Sequence, residues 1–322
     1  MREIDVAIVG AGPTGLFGAY YAGFRGLSVS VIDALPEPGG QVTAMYPEKV
    51  IYDVAGFPAI RGRDLVANLV EQAGQFSPEY RLGVRAEELS YVDDKPLLKL
   101  DDGDELLCGA TIITGGLGSF TARPLPAASA FAGEGLVYFV PKLDALAGQH
   151  VVIVGGGDSA FDWALSLEPL AKSVTLIHRR DKFRAHASTV AKVQSLDVSI
   201  IVNAEVTRII GDGRCRGVEV VVKGEPPREL AADTVVAALG FTADLGPLAN
   251  WGLTLNKRHI AVDTTMATNM PRVFAAGDIS EYPGKVRLIA VGFGEVATAV
   301  NNAAIAIDPA AHLFPGHSSD AG

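Results

Sequence analysis

The chain contains one sequence motif twice, and this repeat restricts its fold more than any other feature. The segment VAIVGAGPTG at 6–15 aligns without a gap on VVIVGGGDSA at 151–160, an offset of 145 residues. In each copy an apolar strand runs into a glycine turn and a helix, and then into a second apolar strand, VSVID at 29–33 and VTLIH at 174–178. Two such units predict an α/β protein with two dinucleotide-binding folds.

The glycine turn has a size requirement at each position. The first glycine forms the tight turn, the second lets a pyrophosphate reach the backbone, and the third position must be small so that the helix packs on the strand. Phosphate charge is favoured at the positive N-terminus of that helix. One such motif is weak evidence, but two at equal spacing are much stronger. The candidate pyrophosphate residues are Gly10, Gly12, Thr14 and Gly15 in the first copy, and Gly155, Gly157, Asp158 and Ser159 in the second.

The residue at the end of the second strand distinguishes the two sites. Asp33 offers a carboxylate to ribose hydroxyls, which predicts an adenosine with a free 2′-hydroxyl. The second copy has a basic cluster at the equivalent place, and its arginines suit a 2′-phosphate, the alternative being a solvated charge run. The pair predicts one FAD site and one NADP site, the latter including His178, Arg179, Arg180 and Arg184.

A further apolar strand near the end of the chain completes the first fold. The segment RVFAAGD at 272–278 ends in Asp278, which is placed to bind the ribityl chain of a flavin. The alternative is that Asp278 only caps a helix or stabilises a turn. We expect the following helix to run from about Glu295 to Ile307, with an N-terminus near Gly294 that favours negative charge on the reduced ring.

Two apolar strands that run into glycine mark the crossings between the domains. They lie at 110–118 and 234–243. We predict an FAD-binding domain from 1–117 and 244–322, with an NADP-binding domain at 118–243 inserted into it and hinges at 115–118 and 240–243. The expected fold class is α/β with two Rossmann-like domains, one inserted into the other.

Composition excludes several other classes. Hydrophobic residues make up 48 % and charged residues 20 %, as in ordinary globular proteins. The net charge of −10 gives no support for a nucleic-acid partner. We find neither an apolar run of about 18 to 20 residues nor a leader-like N-terminus, so we expect no membrane partner and a cytoplasmic location. Cys108 and Cys215 lie too far apart in sequence to form a local C-x-x-C pair or zinc cluster, and each is expected to be a small buried residue.

Together these motifs resemble the ferredoxin (flavodoxin)–NADP reductases of the thioredoxin-reductase type. Besides the two glycine turns and His178-Arg-Arg, the resemblance rests on GGQVTAMYPEKVIYDVAGFP at 39–58, Gly277-Asp278 and GHSS at 316–319, and it covers essentially the whole chain. It implies a homodimeric FAD enzyme that moves electrons between NADPH, by hydride transfer to flavin N5, and ferredoxin or flavodoxin.

The resemblance also implies further flavin contacts. Gln41 and Tyr46 are expected near the ring, and Ala86 contacts adenine through its backbone, with Phe120 and Ser318 completing the site. Tyr46 and His317 are expected on opposite faces of the ring, His317 from a C-terminal extension. Without the resemblance, Tyr46 would be a packed loop aromatic and His317 a tail residue. We expect no strict acid–base residue and no metal.

Competing activities differ from this one in a few residues. Thioredoxin reduction requires a C-x-x-C pair shortly before the second glycine turn, where this chain has Tyr138-Phe-Val-Pro141. An NAD(P)H oxidase or diaphorase that uses small acceptors, and a nucleotide-binding redox sensor, remain alternatives. Because ferredoxins are acidic, docking on a chain of charge −10 requires a local basic patch, such as the region from Arg179 to Lys192.

Overall fold

The chain divides into two compact units in the computed structural model, which describes residues 2–116, 118–140, 142–314 and 316–317 and omits the side chains of Ser119 and Phe120. The first unit comprises Met1–Ala44, Val50–Phe120 and Ala243–Gly322. The second comprises Met45–Lys49 and Thr121–Thr242.

Within the described residues, the helices are α1 (Pro13–Phe24), α2 (Gln41–Met45), α3 (Gly62–Gly74), α4 (Asp158–Leu167), α5 (Ala187–Gln194) and α6 (Ile289–Ile307). The strands are β1 (Arg2–Val9), β2 (Val29–Asp33), β3 (Val50–Ile51), β4 (Ile60–Arg61), β5 (Glu79–Leu82), β6 (Ala86–Val92), β7 (Lys95–Leu100), β8 (Glu105–Ile113), β9 (Ser119–Ala122), β10 (Leu136–Val137), β11 (His150–Val154), β12 (Ser173–His178), β13 (Val198–Val202), β14 (Ala204–Ile210), β15 (Gly217–Val222), β16 (Arg228–Ala231), β17 (Thr234–Ala237), β18 (Phe241–Asp244), β19 (Leu255–Asn256), β20 (His259–Ala261), β21 (Val273–Ala275) and β22 (Ser280–Glu281).

A seven-stranded sheet organises the first unit. Its order is β5-β2-β1-β8-β7-β6, and β21 pairs with the end of β8. Strands β5, β2, β1, β8 and β21 are parallel, whereas β7 and β6 join as antiparallel neighbours. Strand β1 is buried on both faces, as an apolar run in a parallel sheet requires, since Val6 and Ile8 on one face and Ala7 on the other are fully inaccessible. Helices α1 and α6 pack against this sheet through one shared core.

The second unit repeats this arrangement on a smaller scale. Its parallel sheet has the order β10-β17-β11-β12-β13, and a separate antiparallel sheet is formed by β14, β15 and β16. Val151 pairs with Val174 in the same register as Val6 with Val29, each residue being displaced by 145 positions. The sequence repeat therefore extends to strand pairing, and the predicted fold class is confirmed.

Helix α6 corrects one expectation from the sequence. It begins at Ile289 and not near Glu295, since Leu288 is extended and its carbonyl accepts the first helical hydrogen bond from Gly292 N–H at 3.0 Å. Gly292 and Gly294 are therefore helical residues and do not form the turn before the helix. Gly292 is small because a Cβ there would lie 2.4 Å from Thr14 Oγ1, so the glycine permits a close approach to the first glycine turn.

By length and composition alone, α6 is the one helix of the described part that could cross a membrane, with a mean hydropathy of 1.3. This is weak evidence, because core helices of soluble proteins pass the same test. Several of its apolar residues are fully buried against the first sheet and α1, among them Val296, Ala299, Val300 and Ala303.

Candidate functional site

The first glycine turn, between β1 and α1, is tight at its ends and open in its middle. Gly10 has a φ of +119°, and a Cβ there would lie 2.6 Å from the carbonyl oxygen of Thr114. A Cβ on Gly15 would lie 1.9 Å from the carbonyl oxygen of Gly10. At Gly12, the residue before α1, a Cβ would meet no atom within 4 Å. This shape fits a phosphate that approaches the helix N-terminus over Gly12.

Asp33 braces this turn from the end of β2. Its Oδ2 accepts the Ala11 N–H at 2.6 Å, and its Oδ1 accepts the Leu35 N–H at 2.8 Å. Burial raises the pKa of Asp33, while these two hydrogen bonds act in the opposite direction. Each carboxylate oxygen has more than one acceptor position, so the two backbone bonds leave room for ribose hydroxyls.

Three separate segments of the first unit meet beside Thr14. A Cβ on Gly277, which has a φ of +79°, would lie 2.9 Å from Thr14 Oγ1, and the start of α6 approaches the same atom through Gly292. Asp278 follows Gly277 in a short 3₁₀ turn after β21. Burial raises the pKa of Asp278, and the nearby charges of Lys285 and Arg287 partly offset this. Gly277, the residue before Asp278, therefore lies beside the first glycine turn. Binding of a polyol by Asp278 stays a prediction.

The second glycine turn lies between β11 and α4 and has the same open middle position. A Cβ at Gly157 would again meet no atom within 4 Å, and α4 begins at the next residue, Asp158. Its third position is less crowded, because the second turn accommodates the methyl of Ala160, whereas a Cβ at Gly15 in the first turn would lie 1.9 Å from the Gly10 carbonyl oxygen. The imidazole of His178 covers Gly156, where a Cβ would lie 2.4 Å from the ring.

The loop after β12 is tied to this glycine turn by its backbone. Arg184 N–H donates to the Gly156 carbonyl at 2.7 Å, and His186 N–H donates to Asp158 Oδ1 at 2.8 Å. These bonds hold the loop that carries Arg179 and Arg180 beside the start of α4.

The cations of this loop are available to a ligand. Arg179, Arg180 and Arg184 are exposed, and among the described residues none of their guanidinium groups forms an ion pair. Burial lowers the pKa of His178, and the three arginines lower it further, so the imidazole is neutral near pH 7. The positive charge beside this turn therefore comes from the arginines, and the ring of His178 packs over Gly156. Binding of NADP by these residues stays a prediction.

This geometry does not test the roles of the residues carried over from the resemblance, but it shows where several of them lie. Gln41 begins α2, and its Nε2 would lie 3.5 Å from a Cβ on Gly116 in the loop after β8. Ala86 begins β6 and is 4 % exposed. Tyr46 lies in the segment Met45–Lys49 of the second compact unit, where Lys49 forms a 2.8 Å ion pair with Asp162. Stacking of Tyr46 on a flavin stays a prediction.

The C-terminal residues are anchored by Arg25. Its guanidinium donates to Asn301 Oδ1 at 2.6 Å and to the carbonyls of His312 and Leu313 at 2.8 and 2.9 Å. Beyond this anchor, the ring of His317 makes an edge contact with Phe314 at 5.1 Å between centroids. The covering role of His317 stays a prediction. The predicted contacts of the Phe120 side chain and of Ser318 lie outside the described residues.

Both cysteines are buried, as predicted. Cys108 is inaccessible and Cys215 is 1 % exposed. Burial raises the pKa of the Cys108 thiol to about 12 and also raises the pKa of Cys215. Thiols in this state are poor nucleophiles, since thiol–disulfide exchange needs an accessible thiolate.

Two functional residues were missed from the sequence. Thr114, at the end of β8, is 6 % exposed, and its hydroxyl donates to the Gly10 carbonyl at 2.7 Å, which fixes the first glycine turn. Glu295 is 5 % exposed and accepts several hydrogen bonds inside the first unit. The signal for Glu295 was present, because it is the single charged residue in an otherwise uncharged 19-residue helix.

The comparisons with known proteins agree with this geometry. Residues 4–303 match the protein family described as pyridine nucleotide-disulphide oxidoreductase. The chain belongs to this family. It is 72 % identical over 320 residues to a ferredoxin–NADP reductase of Salinispora arenicola, covering 99 % of each chain, and 62 % identical to one of Saccharopolyspora erythraea, covering 99 % of this chain and 98 % of the relative. The resemblance inferred from the motifs is confirmed, and the protein is an oxidoreductase of this family.

A solved structure with the same fold is the thioredoxin reductase of T. acidophilum. It is 28 % identical, with a TM-score of 0.76 over 93 % of this chain and 97 % of the other. The shared fold therefore accommodates more than one electron acceptor, and individual residues must decide which one this chain uses.

Proposed function

We propose that this protein is an FAD-dependent reductase that transfers electrons between NADPH and a one-electron carrier protein, ferredoxin or flavodoxin. The observation that carries the proposal is the difference between its two glycine turns: the carboxylate of Asp33 braces the first, whereas the second is tied to a loop whose exposed arginines form no ion pair within the described residues. The names of the relatives at 72 % and 62 % identity support the same acceptor class.

FAD fits the first unit through groups that are already in place. Gly12 leaves open backbone at the start of α1, Asp33 offers a carboxylate to the adenosine ribose, and Asp278 offers one to the ribityl chain. The backbone of Ala86 and the amide of Gln41 are proposed as additional contacts. When bound, the flavin takes up an electron pair from the nicotinamide and releases single electrons to the carrier.

NADPH fits the second unit. The open backbone at Gly157 and the N-terminus of α4 suit the pyrophosphate, with Ser159 in the first turn of the helix. The exposed arginines of the loop after β12 suit the 2′-phosphate, because a guanidinium forms paired charge-assisted hydrogen bonds with phosphate oxygens. NADH would lack this contact.

Thioredoxin reduction is disfavoured by the chain's own thiols. Cys108 and Cys215 are buried, and burial holds the pKa of each above its ordinary value. Replacing both by alanine is expected to leave NADPH-dependent reduction of the carrier intact. Loss of carrier reduction in a folded variant, measured with the flavin still bound, would contradict this assignment.

We also propose that the NADP domain, residues 118–243, is inserted in the FAD domain and rotates at the two glycine-rich crossings. The supporting observations are positive φ angles at Gly116, Gly118 and Gly240, and the pairing of β9 with β18. If rotation brings the nicotinamide to the flavin, stiffening both crossings slows flavin reduction in a single turnover. Unchanged rates in such variants would count against the hinge.

The decisive experiment is an assay of cytochrome c reduction by NADPH with ferredoxin, with flavodoxin and with neither. The proposal predicts a yellow protein whose turnover depends on one of the carriers. Equal turnover with oxygen or quinones and no carrier dependence would indicate an oxidase or diaphorase. Tight NADPH binding without turnover would indicate a redox sensor.

A cytoplasmic homodimer is the proposed state of the enzyme. The supporting observation is the C-terminal segment, where Leu313 and Phe314 are 54 % and 60 % exposed although Arg25 anchors the backbone beside them. Such apolar side chains favour a covering surface, for which a second copy of the chain is the proposed occupant. Sedimentation of the full chain, compared with a variant that has serine at 313 and 314, tests this. A wild-type monomer would contradict it.

A further inference from the structure

A buried ion pair lies behind the Asp278 turn and has no part in the proposed reaction. Glu295 on α6 is 5 % exposed, and the side chain of its partner Lys285 is 1 % exposed. The ammonium contacts both carboxylate oxygens, with Oε2 at 2.6 Å. Oε1 also accepts the hydroxyl of Tyr282 at 2.6 Å. Removing such a charged pair from water costs free energy that the attraction between the two charges often does not offset.

The carboxylate also holds both ends of the turn that presents Asp278. Oε2 accepts the Gly277 N–H at 2.8 Å and lies 3.3 Å from the hydroxyl of Ser280. That hydroxyl in turn lies 2.8 Å from the Gly277 carbonyl. Asp278 is therefore carried by a turn whose first and last residues both contact Glu295, a residue of the helix that approaches Thr14.

The pair also sets the charge around Asp278. Burial has the largest effect on the pKa of Asp278 and raises it. Lys285 lowers this pKa because it favours the ionised carboxylate, whereas Glu295 raises it. Arg287 and His259 act in the same direction as Lys285. Without Lys285, two carboxylates would share this buried region with one fewer compensating cation.

Buried ion pairs are poor stabilisers compared with well-packed apolar residues of similar volume. The attraction between the two charges alone therefore does not explain why the pair is present. The contacts favour a role in geometry, because an apolar pair has no acceptor for Gly277 N–H and no charge beside Asp278.

We propose that Lys285 and Glu295 are positioning residues for the flavin: they fix the Gly277–Ser280 turn so that Asp278 faces the ribityl chain, and they act on FAD affinity through Asp278. The inference rests on the proposed FAD site and deepens it. It concerns affinity for the flavin and requires no new chemistry.

The test is a double-mutant cycle on FAD affinity, measured by flavin fluorescence quenching with the full chain stripped of flavin. Asp278→Asn and Glu295→Gln are each expected to weaken FAD about tenfold, as for loss of a hydrogen bond to a charged group. If Glu295 acts through Asp278, the double variant is weaker than the worse single variant by no more than about twofold. Combined with Asp33→Ala, Glu295→Gln should instead multiply the loss. Multiplicative losses with Asp278→Asn would overturn the inference.

The matched control is Glu281→Gln. This carboxylate lies in the same segment and pairs with Arg287, but its side chain is 26 % exposed and, within the described part of the chain, it forms no hydrogen bond with Gly277 or Ser280. Its FAD affinity should match the wild-type value. A loss equal to that of Glu295→Gln would mean that FAD affinity depends on the negative charge of this segment and not on the contacts of Glu295, which would contradict a positioning role.

Two further variants separate positioning from folding. The apolar pair Lys285→Met with Glu295→Leu removes the acceptor of Gly277 N–H, so without flavin it should unfold at a lower temperature than the wild type but still cooperatively, and it should bind FAD at least about tenfold more weakly. Tyr282→Phe, which removes one hydrogen bond and no charge, should weaken FAD by about two- to tenfold. Wild-type affinity in both folded variants would overturn the inference. A wild-type chain that does not bind FAD at all would instead refute the proposed function.

Discussion

The two glycine turns share a backbone plan but differ in how they are held. The first is fixed by side chains around it, since Thr114 donates to the Gly10 carbonyl and Asp33 accepts from Ala11. The second is fixed by the loop that follows β12, through Arg184 and His186. Side chains of the first unit's sheet thus hold the first turn, whereas the second turn is tied to the loop that carries Arg179 and Arg180.

The largest expected effect concerns the third position of the turns. Gly15→Ala places a methyl 1.9 Å from the Gly10 carbonyl oxygen, so the chain should lose about 3 kcal/mol or more of unfolding free energy. The reverse change in the second turn, Ala160→Gly, should cost only about 1 kcal/mol, the usual difference between the two residues in a helix. Chemical denaturation measures both. A loss for Gly15→Ala no larger than that for Ala160→Gly would contradict the crowding of the first turn.

The next effect concerns the 2′-phosphate. Arg179→Ala should weaken NADPH by roughly 1.5 to 3 kcal/mol, the range for hydrogen bonds to charged groups, and leave NADH nearly unchanged. Arg228→Ala, which removes an exposed arginine from β16 of the same unit, is the matched control. Binding titrations with both nucleotides check the result. If Arg179→Ala weakens both nucleotides equally, the basic loop does not select NADPH.

A smaller effect tests the tie between turn and loop. The first helix begins with Pro13, whereas the second begins with Asp158, whose Oδ1 accepts the His186 N–H. Asp158→Ala should weaken NADPH by about 0.5 to 1.5 kcal/mol, because the loop loses one hydrogen bond that positions it. Asp158→Asn also removes the charge but keeps an acceptor, and it should bind NADPH normally. A loss common to both variants would assign the effect to charge alone.

The smallest expected effect is on the pH dependence of stability, which has opposite signs for His178 and Asp33. The pKa of His178 is below its ordinary 6.5 in the folded chain, so the unfolded state takes up a proton first as the pH falls below 6.5. The contribution of His178 to stability is therefore lost between 6.5 and its lowered folded value.

The buried Asp33 behaves in the opposite way. Its folded pKa lies above the ordinary 3.8, so its charged form opposes folding at neutral pH, and this cost is relieved as the pH falls through the folded value towards 3.8.

Urea unfolding of the wild type and of His178→Asn between pH 7 and 5 measures the contribution of the histidine to the pH dependence of stability. An unchanged pH slope in the variant would contradict it.

The sequence by itself determined the plan of the molecule. The small residues required at fixed positions of 6–15 and 151–160 specify two strand–turn–helix units. The observed pairing of Val6 with Val29 is repeated by Val151 with Val174 at the predicted offset of 145 residues. Local physics suffices here, because a buried parallel strand, a tight turn and a close helix contact each restrict residue type at a fixed spacing. The charge difference between Asp33 and the arginines was equally local.

Only the tertiary structure decided how these units are supported. Glu295 is separated from Gly277 by 18 residues and Thr114 from Gly10 by 104, so no local pattern predicts that they contact each other. The start of α6 was misplaced because Gly292 looks like a turn residue in sequence, whereas its role is to admit Thr14. Contacts between distant segments depend on how the sheet brings its strand ends together. Hydrogen bonds to charged groups become stronger when these groups are buried in the low dielectric of the interior, which happens only in the folded chain.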